Sequence, residues 1–365
     1  MKVLDLIPDY IKDLPAYVPG RLMEDVAEEM NLTRIIKLAS NENCLGPSPK
    51  AAAAMAEALT RLGRYGDADS RRFREALAGH LGLEPKYILA GNGSSEFILI
   101  LAHALLKPGL SAVMSRPSFT LYSSNVRAAG AEAREVPVSA GFGHDLPAML
   151  AKMDSETRLV FLDNPLNPTG AWLTPAEIYG FLEKLPPRCL LVLDEAYTDF
   201  ARKERPDYDR LLAGGQTVIL RTFSKIYGLA GARLAYMLAD PDLTACLNKI
   251  RQPFNLNSPA QAGALAALSD LDHYQNTRLI SWAGLDYFRE KLPPLGLPVR
   301  PTQANFLMAG PVSIGGPALE KALLKEGIII RSLASFGLER YVRITAGLPW
   351  ENEVLTEALG RILRP

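Results

Sequence analysis

Hydrophobic positions in this chain fall into short β-branched or leucine-rich runs separated by stretches with helical spacing. From Pro49 onward the runs "KYILAG", "SAVMS", "EAREVPV", "RLVFLDN", "CLLVLDEAY", "TVILRTFSK" and "RLAYMLAD" predict strands, with helices such as 94–106 and 175–185 between many of them. Continuous apolar runs alternating with helices mean βαβ units, and hence an α/β fold with a mostly parallel sheet sandwiched by helices. After about Pro259 the pattern changes to a long helical stretch, then to strands "ANFLMAG", "GIIIRSL" and "YVRITAG" and a closing helix. That change predicts a second, smaller α+β domain. The proline-interrupted start reads as an arm. The expected division is an N-terminal arm and part of the small domain over 1–45, a large domain over 46–255 and a small C-terminal domain over 256–365.

Composition narrows the function classes. Forty Lys+Arg balance forty Asp+Glu, which argues against a nucleic-acid binder or a membrane-surface protein, both of which need a cationic field. "MKVLDLIPDYIKDLP" breaks its apolar residues with Asp5, Pro8 and Asp9 and does not read as a signal peptide. The run "FILILAHALL" is too short to span a bilayer. Cys44, Cys189 and Cys246 are scattered, which suits a reducing compartment and fits no zinc spacing. The four histidines are equally dispersed. A cytoplasmic protein without a structural metal is the expectation.

Ligands of open parallel sheets bind beyond the carboxyl ends of the strands. Polar residues cluster at three such ends: Asp194 and Tyr197 in "CLLVLDEAYTDF", Asn164 and Asn167 in "RLVFLDNPLNPTG", and Thr222, Ser224 and Lys225 in "TVILRTFSK". Taken singly, each is a strand running out into a polar turn. Three on consecutive strands point to a site. In "ILAGNGSSEFILIL", Gly91 and Gly93 allow a tight turn, and Ser94 and Ser95 open an apolar helix whose N-terminal N–H groups suit a phosphate. The same serines also read as an ordinary helix cap. Lysine forms Schiff bases with carbonyls. A phosphate-bearing aldehyde would account for the anion site and Lys225 together. Pyridoxal 5′-phosphate is such a molecule, and Asp194 can be the carboxylate its ring nitrogen needs.

The motifs "LASNENCLGPSPKA", "RYGD", "GNGSSE", "RPSFTLY", "NPLNPTG", "DEAYTDF", "RTFSKIYGLAGAR", "ANF", "IIIRSL" and "VRITAG" follow one another along nearly the whole chain. In this order they resemble the fold-type I pyridoxal-phosphate-dependent aminotransferases of class I/II. Within that group they are most similar to the histidinol-phosphate aminotransferases, a likeness carried by "AYVPG", "SNEN", "GPSP" and "VRIT". The resemblance implies that Lys225 holds the cofactor as a Schiff base and shuttles the proton between Cα and C4′. It implies that Asp194 pairs with the ring nitrogen, and that Tyr197 and Asn167 hydrogen-bond the phenolic oxygen. Ser94, Ser95, Thr222, Ser224 and Arg233 would hold the phosphate, with Tyr65 of the partner subunit in a homodimer with shared active sites. Phe119 would stack on the ring, although an aromatic there is equally plain core. Arg343 would grip the substrate carboxylate, and Arg331, helped by Tyr17, the distal anion. For both arginines a solvated strand charge is the alternative.

The implied reaction is transamination between histidinol phosphate and 2-oxoglutarate in histidine biosynthesis. An aromatic amino acid aminotransferase, a threonine-phosphate decarboxylase-like enzyme and a non-catalytic module on the same fold stand beside it. The retained Lys225 and Asp194 weigh against the last. Three positions depart from the family pattern: Cys44 where proline is usual, Leu166 where asparagine is common, and Leu348 where threonine is usual.

Overall fold

The computed structural model describes residues 2–16 and 20–363. Its strands are β1 (Ile36–Lys37), β2 (Ile88–Gly91), β3 (Ser111–Arg116), β4 (Glu132–Pro137), β5 (Thr157–Asp163), β6 (Leu190–Asp194), β7 (Thr217–Thr222), β8 (Ala235–Leu238), β9 (Phe306–Ala309), β10 (Ile328–Ile329), β11 (Arg331–Ser332) and β12 (Val342–Thr345). Seven of them form one sheet in the order β2-β8-β7-β6-β5-β3-β4. All neighbours in it are parallel except those of β8, which runs antiparallel to both β2 and β7. The reason is local. The link from β7 to β8 holds only a short 3-10 turn at Ala230–Ala232 and no crossover helix, and a return without a crossover must be antiparallel. That link carries Lys225.

Side chains along the central strands alternate between two cores. On one face lie Val160, Leu162, Leu191, Leu193 and Ile219. On the other lie Leu159, Phe161, Val192, Val218 and Leu220. Each strand is therefore apolar on both sides, the condition that produces continuous hydrophobic runs instead of polar alternation. The covering helices start where capping chemistry permits. Ser48 caps Pro49–Leu59 by accepting from Ala51 N, and Thr174 and Glu177 form a reciprocal capping box on Pro175–Leu182, each with proline at the first helical position. This second helix ends three residues before the limit expected from its periodicity.

A three-stranded antiparallel sheet, β11-β12-β9, and the parallel pair β1-β10 form a separate layer. Its core unites Ile36, Leu38, Phe288, Leu307, Ile344 and Leu355. The run "GIIIRSL" is split between β10 and β11, each two residues long, so one segment bridges two sheets. The helix Ser258–Leu268 packs Ala260, Ala264 and Ala267 into the core beneath the seven-stranded sheet.

Candidate active site

β5, β6 and β7 are adjacent in the sheet, so their polar carboxyl ends meet. Asp163, Asp194 and Thr222 follow the alternation onto one face there, the face of the core that contains Tyr122. A cavity of about 410 Å³ opens at this point, lined in part by Lys225, Asp194, Tyr197, Asn167, Thr222 and Ser224. Ser94, Ser95, Phe119 and Arg233 complete it from the helix, loop and turn opposite. Ten of the fourteen site residues expected from the sequence thus line one cavity.

The Lys225 Nζ donates to Ser40 O at 3.1 Å and lies 5.4 Å from the Tyr197 ring. The Tyr197 hydroxyl accepts from Asn41 Nδ2 at 3.0 Å, and Thr345 Oγ1 donates to Asn41 Oδ1 at 3.1 Å. Asp194 accepts from the Tyr122 hydroxyl at 2.8 Å and from Ala196 N at 3.0 Å. Burial raises its carboxyl above the ordinary range, opposed by the Tyr122 and Ala196 donors and by the Lys225 charge. The Tyr122 hydroxyl is itself pushed well up by burial and by the charge of Asp194, so it stays a donor. Tyr122 stacks on Phe161 at 4.6 Å between ring centroids and meets Phe119 edge-on at 5.6 Å. One buried ring therefore ties the carboxylate to the aromatic wall.

The anion-binding end is built on glycine. Gly93, at φ +80°, caps the helix Ser94–Leu105, and a Cβ there would collide with Arg233 Nη2. Only glycine lets the guanidinium lie against the helix N-terminus. Arg233 adopts a left-handed conformation at φ 58° and donates to Ala230 O at 3.0 Å. Thr222 Oγ1 accepts from Ser224 N at 3.0 Å, which closes the turn before Lys225. Such a set of donors, with an amine at one side and a carboxyl at the other, fits a phosphate-bearing aromatic aldehyde.

Three expected residues lie outside this lining. Arg343 reaches it indirectly: Nη1 donates to Asn167 Oδ1 and Nη2 to Ala39 O, both at 2.6 Å. Arg331 is half-buried and stands directly opposite Arg343 across β11 and β12, which puts both side chains on one face of the small sheet. Tyr65 is 85% exposed and stacks on Phe254 at 4.6 Å, away from the cavity of its own chain. Tyr17 lies outside the described residues.

Sequence reasoning missed Tyr122 and Asp163, both in the cavity wall. Tyr122 stands in the first turn of the helix Leu121–Ala128, just after Phe119, whose ring it meets. Asp163 ends β5 as Asp194 ends β6, and aligning the strand ends would have paired them. Among the described residues, no group of three or more His, Cys, Asp or Glu side chains could hold a metal, and no helix is long and apolar enough to cross a membrane.

The family profile "Aminotransferase class I and II" matches residues 33–362. The chain belongs to the class I and II aminotransferases. This aminotransferase is 42% identical to histidinol-phosphate aminotransferase 2 of Pseudomonas fluorescens, over 97% of its own length and 96% of that protein. It is 41% identical to a histidinol-phosphate aminotransferase of an Anaeromyxobacter species, over 99% and 100% of the two chains. Its structure matches that of histidinol-phosphate aminotransferase from Sinorhizobium meliloti in complex with pyridoxal-5′-phosphate, with a TM-score of 0.90 at 30% identity over 98% and 97% of the chains. The α/β architecture expected from the hydrophobic pattern is thus that of the fold-type I enzymes.

Proposed function

We propose that this aminotransferase binds pyridoxal 5′-phosphate and converts histidinol phosphate and 2-oxoglutarate into imidazole acetol phosphate and glutamate, a step of histidine biosynthesis. The observation that carries the reading is the convergence of Lys225, Asp194, Tyr197 and Asn167 with a glycine-based anion cradle in one cavity. When bound, the cofactor supplies a carbonyl group and an electron-withdrawing ring. Lys225 contributes the amine that meets that carbonyl and later moves the proton at the substrate Cα. Asp194, ionised against a cationic ring nitrogen, holds the proton on that nitrogen. Tyr197 and Asn167 orient the phenolic oxygen, and Phe119 covers the ring face. Ser94, Ser95, Thr222, Ser224 and Arg233 hold the phosphate.

Arg343 and Arg331 bind the two ends of the amino and oxo acid substrates in this reading. Like charges directly opposite on neighbouring strands repel, and an anion between Arg331 and Arg343 removes that cost. A guanidinium fork pairs with carboxylate or phosphate, which suits a pocket that must seat both glutamate and histidinol phosphate in turn. The reading also includes a homodimer with Tyr65 of the partner subunit at the phosphate, and a cytoplasmic setting that the free Cys44, Cys189 and Cys246 suit.

The test is a screen of single amino donors against the cofactor-loaded chain, following its visible absorbance. Histidinol phosphate and glutamate should react best, and Lys225→Ala should abolish turnover while still binding the cofactor through its phosphate. Arg331→Ala should lose about 1.5–3 kcal/mol of transition-state stabilisation with these two donors and much less with phenylalanine or tyrosine. Wild-type preference for aromatic amino acids, or equal losses with every donor, would replace the substrate pair by an aromatic one. A chain that stays colourless with added cofactor would end the reading.

A further inference from the structure

Asp163 ends β5 and Asp194 ends β6, and the two are Cα partners in parallel register. Parallel partners project to the same face about 5 Å apart. Both line the cavity, and they are only 4% and 5% exposed. Two carboxyl groups this close and this buried do not both ionise.

Their surroundings decide which one keeps the proton. Asp194 has two donors, Tyr122 Oη and Ala196 N, and the field of the Lys225 ammonium. Asp163 accepts from Asn167 N at 2.8 Å on Oδ2 and weakly from its own backbone N–H, with no cation beside it among the described residues. Oδ1 of Asp163 is buried without a hydrogen-bond partner among the described residues. The imidazole beside it is no counter-charge. His144 Nε2 lies 3.7 Å from Oδ1, but it makes its hydrogen bond to Asp163 O at 3.0 Å, while Nδ1 meets Ser115 Oγ at 2.6 Å. A carbonyl only accepts, so Nε2 carries the proton and Nδ1 accepts from the hydroxyl. Burial lowers the imidazole to about 4, so it is neutral at neutral pH. Among the described residues, the titratable groups whose charge or position bears on Asp163 are thus Asp194, His144 and the weakly acidic Tyr122, and no cation is among them. Burial and the Asp194 charge push the Asp163 carboxyl well up, against the pull of Asn167 N–H.

We propose that Asp163 carries the proton of this pair as a neutral carboxylic acid, leaving Asp194 as the single anion at the cavity. Its Oδ2 also anchors the loop that aims Asn167 at Arg343. The location of the proton does not depend on the cofactor reading above.

Asp163→Asn tests this, because an amide oxygen still accepts from Asn167 N. Infrared difference spectra of the cofactor-free protein at pH 7, wild type minus Asp163→Asn, should show the loss of a protonated carboxyl band that shifts in heavy water. Loss of an ionised carboxylate band instead would overturn the proposal.

Discussion

His144 sits behind the cavity wall with both ring nitrogens engaged, and burial keeps it neutral down to a pKa of about 4 against an ordinary value of 6.5. Below pH 6.5 the unfolded chain takes up a proton that the folded chain refuses. The stability contributed by neutral His144 is therefore present above pH 6.5 and lost as pH falls toward 4, by about 3 kcal/mol. Asp163 and Asp194 act in the opposite sense, because their raised carboxyls favour the folded state most below their ordinary value of 3.8. The contribution of His144 is isolated by comparing variants. Urea unfolding at pH 7 and pH 4.5 should show a smaller pH-dependent loss for His144→Asn than for wild type. An unchanged difference between the two pH values would place the titration elsewhere. None of this was legible in the sequence, where His144 stands in "GFGHDL" with nothing to reveal its burial.

At the level of elements, the strands that present Asp194 and Thr222 to the cavity present the next or preceding residue to the opposite face. Glu195 follows Asp194, and Arg221 precedes Thr222. Beneath the sheet Arg221 donates to Asp199 Oδ1 at 2.6 Å and to Glu195 Oε2 at 3.4 Å, and Tyr208 bonds both Glu195 and Arg221. Tyr274, on the helix Leu271–Lys291, donates to the same Asp199 oxygen at 2.8 Å. This buried network ties the roots of β6 and β7 to a helix that also contributes to the small core. Arg221→Met leaves two buried carboxyls with only the half-exposed Arg205, 3.5 Å from Asp199, as counter-charge. It should cost about 3–5 kcal/mol in urea unfolding, and a loss below about 1 kcal/mol would show that the network does not hold the strand ends. The motifs "DEAY" and "RTFSK" were read for the face that carries the chemistry. Of the partners of the other face, Asp199 lies within "DEAYTDF" itself, but Tyr208 and Tyr274 come from further along the chain.

For the whole molecule, the exposed stack of Tyr65 on Phe254 lies close in sequence to further exposed apolar side chains at Leu59, Leu62 and Ile250. An aromatic side chain that protrudes beside apolar neighbours is suited to a two-fold contact, where one surface is used twice. In the proposed dimer Tyr65→Ala should weaken cofactor affinity about tenfold, because a hydrogen bond to a charged phosphate is lost, while sedimentation still shows a dimer. A wild-type monomer that keeps full activity at high dilution would contradict the shared site.

The sequence by itself determined the α/β class, the order of the strands along the chain and most of the cavity lining. These follow from local signals: apolar runs long enough for strands buried on both faces, and polar residues at their carboxyl ends, where a parallel sheet must bind its ligand. Lys225, Asp194, Tyr197 and Asn167 were legible because each closes or follows its own run. Tertiary structure alone decided what depends on register and on contact between distant segments. The pairing of Asp163 with Asp194 requires β5 and β6 to stop level with each other. The bond from Tyr122 to Asp194 requires a helix start to lie over the strand end, and the facing of Arg331 and Arg343 requires an antiparallel register across the small sheet. Shifting either register by one residue would turn these side chains to the other face. The sign of that choice is set by the packing of both faces together, so no single stretch of sequence records it.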